Sequence, residues 1–109
     1  MSVPPIGKLR QRLTLQQPVR AADGGGGAAV TWTFVADVWA AMSPIGGDER
    51  VDADALQGRL THEVWIRFRS DVAAQMRFIL GARIFDIRGV ADIEEAHRFQ
   101  RCLVEERLP

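Results

Sequence analysis

Few side chains in this chain could do chemistry, and none falls in the spacing that chemistry requires. His62 and Glu63 could open a zinc-protease motif, which needs a second histidine one helical turn after the first; that place is held by Ile66, in a segment that alternates like a strand. His62, His97 and Cys102 lack the paired spacing of a zinc site. Asp52 and Asp54 resemble the acids of a calcium loop, but its glycine and closing glutamate are missing, so they read as a solvated acidic patch. Ser2, Ser43 and Ser70 have no nucleophile-elbow context, and there is no tyrosine. Glu94-Glu95 and Glu105-Glu106 are adjacent acids, which on a strand point to opposite faces and cannot form a direct dyad. The glycines from Gly24 to Gly27 lack the Lys-Ser/Thr and the helix that would aim amides at a phosphate. The expectation is a protein without catalytic residues, metal or cofactor, whose function lies in its surfaces.

Arginine is what those surfaces offer. Lys8 is the only lysine among fourteen basic residues, and fourteen acids bring the formal charge to zero. Guanidinium groups are planar, multi-donor and weakly hydrated, which suits surfaces buried against partners; a genome rich in G and C gives the same bias. A neutral domain is a poor dedicated nucleic-acid binder and a fair assembly component. At 109 residues with 47% hydrophobic content the chain reads as one globular domain, 1–109. No apolar run approaches the ~18 residues of a membrane span, so no membrane partner is expected. The start, Met1 to Gly7, lacks a signal-peptide core, which predicts synthesis in the cytoplasm. The lone Cys102 excludes an internal disulfide and reads as a buried packing residue.

The elements that must position these side chains are strands. Leu9, Gln11, Leu13 and Leu15 alternate with polar residues until Pro18, which is expected to end the first strand. The stretch from Arg20 to Ala29 reads as a mobile hairpin connection. Val30 to Met42 is rich in β-branched and aromatic residues and reads as one broken strand or two short ones, with Trp32 and Trp39 as core or interface anchors. Asp48 to Leu56 allows a short helix capped by Asp48. Beyond it Val64, Ile66 and Phe68 form one face of a strand, with Trp65, Arg67 and Arg69 on the other. Met76 to Leu80 and Arg83 to Val90 pair across Gly81-Ala82, and Phe99 to Glu106 makes the last strand. The sum is all-β, a small barrel or sandwich of about six antiparallel strands with a long loop carrying at most one short helix.

In order and spacing, the chain resembles the phage head-tail joining proteins, the adaptor and head-closure (stopper) proteins of tailed phages and gene transfer agents. The resemblance is carried by Gly7 to Gln16, Asp23-Gly24, Trp32, Val38-Trp39-Ala40, Gly47 with Glu49, Thr61 to Arg69, Met76-Arg77, Gly81 to Ile87 and Cys102. The longer glycine tract and the pairing of Glu63 with Trp65 depart from that pattern.

The resemblance implies a β-barrel subunit in a virion or phage-like particle, made in the bacterial cytoplasm. Such a subunit forms a ring with itself, hexameric or dodecameric, at the portal vertex. It seals the DNA channel after packaging and docks the tail. Its partners would be portal or adaptor proteins on the head side, tail terminator or tail proteins on the other, and packaged double-stranded DNA in passing. Gly46, Gly47, Asp48, Glu49 and Arg50 are the candidate channel loop, because long loops on a rigid barrel usually carry function. Trp65, Arg67 and Arg69 are the candidate interface. Two other readings remain open: a tail terminator or minor tail subunit, and a barrel that binds single-stranded nucleic acid through Trp65, Arg67 and Arg69.

Overall fold

The structure, a computed structural model, describes residues 9–22, 28–45 and 60–107. The expected helix from Asp48 to Leu56, the glycine tract and the candidate channel loop from Gly46 to Arg50 lie outside the described residues.

Six strands follow in order: β1 (Gln11–Ala22), β2 (Ala28–Pro44), β3 (His62–Arg67), β4 (Arg77–Leu80), β5 (Arg83–Asp92) and β6 (Phe99–Arg107). They close into a barrel in the order β1-β2-β3-β6-β5-β4, with every pairing antiparallel. Period-two patterning dictates the arrangement, since each strand sends alternate residues inward. Leu13 and Leu15, Val38 and Ala40, Val64 and Ile66, Phe78, Phe85 and Ile87, and Cys102 and Val104 form one buried cluster. Closure removes the sheet edges that an open sheet of this size would expose. The β4–β5 connection is the expected two-residue turn, and Gly81 takes φ +60°, a left-handed conformation that a side chain would oppose.

Polar groups close the two mouths. At one, Gln100, buried with 4% exposure, accepts a hydrogen bond from the Arg69 N–H at 3.0 Å and donates to the Arg69 carbonyl at 2.9 Å. At the other, the Thr61 hydroxyl accepts from the Glu106 N–H at 2.7 Å. There Ile45 N–H also donates to the Thr61 carbonyl, so the chain is anchored on both sides of residues 46–59. Val72 and Met76 pack into the core from the β3–β4 connection, which is tied to β5 through Gln75, Met76 and Ile87 backbone groups.

Three expectations are corrected. Pro18 does not end the first strand: β1 runs through it to Ala22, and Pro18 pairs with Trp32. Proline is accommodated because β1 has left β4 after Gln16, and no other described strand takes up that edge to require an N–H donor. Arg20 to Ala22 and Ala28-Ala29 are therefore strand, not connection. Finally, Phe68 falls beyond β3 and outside the core, stacked on the His97 ring at 4.4 Å between centroids.

The result of the first two corrections is an arm. β2 is one strand of 17 residues, and it loses β3 on the N-terminal side of Ala40, as β1 loses β4 after Gln16. A register shift at Leu15/Gln16 leaves Val35 as an extra residue where the ribbon departs. Bulges bend and twist strands, which lets the pair leave the barrel wall. Gln16–Ala22 and Ala28–Phe34 thus project as a two-stranded ribbon from a molecule measuring 49 × 29 × 28 Å.

Candidate interaction surface

The predicted face of Trp65, Arg67 and Arg69 does not assemble as one surface. Trp65 is on the outer side of β3 as expected, yet it is only 6% exposed. Its neighbours in the register are Ala41, too small to hold the indole off the sheet, and Arg101, whose side chain is itself only 24% exposed. Arg69 lies past the end of β3, and its guanidinium forks onto Asp71 with contacts of 3.0 and 2.8 Å. That hydrogen-bonded pair lowers the Asp71 pKa and raises that of Arg69. Arg67 is exposed and makes no ion pair among the described residues.

The tryptophan beside Arg67 is Trp39. In the register Trp39 opposes Arg12, while its neighbour Ala40 opposes Ile66, so Trp39 and Arg67 share the outer side of adjoining strands. Trp39 is 57% exposed and lines an open groove of about 440 Å³ with Leu9, Arg10 and Arg67. Arg12, opposite Trp39 in the register, is paired with Asp37 at 3.2 Å. An exposed surface of arginine and tryptophan is therefore present, but its indole is Trp39 of β2, and of the expected trio only Arg67 belongs to it. Sequence alternation distinguishes the two faces of a strand; it does not say which outward side chains their neighbours cover.

The arm is the second surface. Residues opposed across an antiparallel pair share a side, so Gln16 with Phe34, Pro18 with Trp32 and Arg20 with Val30 line one face of the ribbon. Gln17 with Thr33 and Val19 with Thr31 line the other. Val30 is 46% and Phe34 55% exposed. Trp32, by contrast, is partly covered by Arg77, whose guanidinium carbon lies 4.0 Å from the ring centroid. Arg77 Nε also donates to Gln16 Oε1 at 2.7 Å, so a single β4 side chain grips both strands of the arm at its root. Burial, with repulsion from Arg107, lowers the Arg77 pKa against the pull of Asp86. The signal that could have revealed the arm was present in the alternation of Val30, Trp32 and Phe34 on one side against Thr31 and Thr33 on the other.

Elsewhere the wall is closed by cross-strand ion pairs. Arg83 binds Glu106 at 2.8 Å, Arg88 binds Glu105 at 2.9 Å and Arg107 binds Asp86 at 2.9 Å. Glu105 and Glu106 thus serve different arginines, as adjacent residues on opposite faces must. Cys102 is fully buried, and burial pushes its thiol pKa up to about 12. Among the described residues no three His, Cys, Asp or Glu side chains gather where they could hold a metal ion.

Residues 4–107 match the family model of the phage head completion protein. The fold is similar to the solution structure of a protein from Shigella flexneri 2a, at 27% identity and TM-score 0.74, covering 94% of this chain and 96% of that one. It is also similar to a chain in the virion of a native gene transfer agent particle, at 30% identity and TM-score 0.67, covering 92% of this chain and 96% of that one. No curated protein matches.

Proposed function

Because this chain belongs to the phage head completion protein family, and so is a structural component of a phage or phage-like particle, we propose that it is a head-tail connector subunit. Copies form a ring at the portal vertex, seal the DNA channel once packaging is complete, and present a surface on which the tail docks. The observation that carries this reading is the separation of two exposed apolar sites, the arm and the Trp39 groove, on a barrel otherwise faced with ion pairs. A subunit of a closed ring needs two different surfaces, one for each neighbour. The arginine flanks of Trp39 match the composition of interface hot spots. Zero formal charge fits a ring that DNA must traverse without being held, since phosphate affinity rises with each cationic contact.

The chain acts as a single domain. A position lower in the particle, as tail terminator or minor tail subunit, is the neighbouring alternative. Labelling the chain with a small rigid tag in intact particles and imaging them by electron microscopy distinguishes the two. The label is expected at the portal vertex, between head and tail; a label along or at the far end of the tail contradicts the connector assignment.

A further inference from the structure

Resting on the ring reading above, we propose that the β1–β2 arm of one copy seats its aromatic face in the Trp39 groove of the next copy, joining subunits head to tail.

Two facts make the arm a surface that needs covering. An isolated two-stranded ribbon is marginally stable in water, and this one leaves Val30 and Phe34 on its face about half exposed. Among the described residues no strand pairs with either edge beyond Gln16 and Ala40, and the described β2 edge from Ala28 to Phe34 contains no charge and no proline to discourage contact.

The occupant follows from what the described surface offers. The exposed large hydrophobics are Val19, Val30 and Phe34 on the arm and Trp39 at the groove. Within one copy, Arg77 already caps the arm's Trp32. Phe34, the next aromatic on that face, has no such cation, whereas Arg67 beside Trp39 has no anion among the described residues. A cation without a partner and an aromatic face without a cation are complementary, and desolvation strengthens their contact. The dimensions agree: the long axis exceeds the other two by about 20 Å, 49 against 29 and 28 Å, so an arm laid sideways spans most of one neighbouring barrel. Because arm and groove are different patches, the contact is heterologous, and repeated contacts of that kind close into a ring or continue as a filament.

Thiol crosslinking tests this, since burial of the native Cys102 and its raised pKa are expected to keep its thiol from reacting in the folded chain. Val30→Cys marks the arm and Arg10→Cys the groove, leaving Phe34, Trp39 and Arg67 in place; circular dichroism checks that each variant folds. The two single variants are mixed at high concentration with a short bismaleimide, and both are also expressed together in the particle-producing cell. Crosslinked dimers should form in the mixture, with either variant alone giving about tenfold less, and a further Phe34→Asp should reduce the yield at least about tenfold, the equivalent of 1.4 kcal/mol. Val30→Cys linking to itself as well as to Arg10→Cys means arms meet arms and overturns the proposal. So does the absence of crosslinks in particles that contain the chain, which would show that another protein covers the arm. Mass spectrometry of the particles reads incorporation separately: a chain missing from them counts against the connector reading itself, not the arm contact.

Discussion

The Arg77 guanidinium lies over the Trp32 ring at 4.0 Å while its Nε holds the Gln16 side chain at 2.7 Å, so one residue of β4 ties down both strands of the arm. Cation–π contacts contribute about 0.5–2 kcal/mol, and a charge-assisted hydrogen bond about 1.5–3 kcal/mol. Arg77→Ala should therefore free the arm without unfolding the barrel. Amide exchange is expected to rise about tenfold or more between residues 16–22 and 28–36 and to stay unchanged in β5 and β6. Uniform acceleration across the whole chain would mean that Arg77 supports the barrel instead.

Trp65 and Trp39 should behave in opposite ways. Trp65 is 6% exposed, so Trp65→Ala leaves a cavity and should cost about 3–5 kcal/mol in urea unfolding. Trp39 is 57% exposed, and Trp39→Ala should change monomer stability by less than about 0.5 kcal/mol while weakening contacts between copies. If Trp39→Ala destabilises the monomer as much as Trp65→Ala, the groove is part of the fold and not a free surface.

Gln100→Leu should be costly because it strips partners from both backbone groups of Arg69. Leaving buried polar groups unsatisfied costs about 1–3 kcal/mol each. The thermal midpoint should fall by roughly 10 °C or more, given that ~1 kcal/mol shifts the midpoint of a domain this size by about 4–8 °C. An unchanged midpoint would show that water replaces the glutamine at the mouth.

The pH response should slope at both ends. Asp71 and Glu106 have pKa values lowered by hydrogen bonds from Arg69 and Arg83. Their pairs stabilise the fold above the usual carboxylate range of about 4, and that contribution is lost as pH falls through the lowered folded values. Both pairs are at the surface, so the loss is small, at most about 1 kcal/mol each after screening. Cys102 acts in the other direction. Its pKa is about 12 in the fold and about 8.5 when unfolded, so the unfolded chain sheds a proton first and stability falls as pH rises between those values. Cys102→Ser should flatten the alkaline slope relative to the parent; an unaltered slope would assign it to other groups.

Much of this architecture was legible in the residues. Alternation at Leu13 and Leu15, at Val64 and Ile66, and from Phe85 to Ile87 marked inward faces, and Gly81-Ala82 marked its turn. Cys102 could be placed in the core because it lies in a segment of alternating apolar residues, whereas the burial of Gln100 at the start of that strand carried no such signal. Trp65 could not be read correctly, since its burial depends on Ala41 and Arg101, which closure of the barrel brings beside it from distant parts of the chain. The arm was missed for a related reason. Pro18 looks like a strand end in any local window, and only the loss of β4 as a neighbour after Gln16 makes it harmless there.

Whether this subunit closes the filled head and receives the tail is tested most directly by deleting its gene in the particle-producing strain. Particles would be counted by electron microscopy, and packaged DNA measured by nuclease protection with and without the wild-type chain supplied in trans. Assembled heads that lack tails and lose nuclease protection of their DNA are expected, with both defects reversed by the supplied chain. Tailed particles with fully protected DNA in the deletion strain would contradict that role.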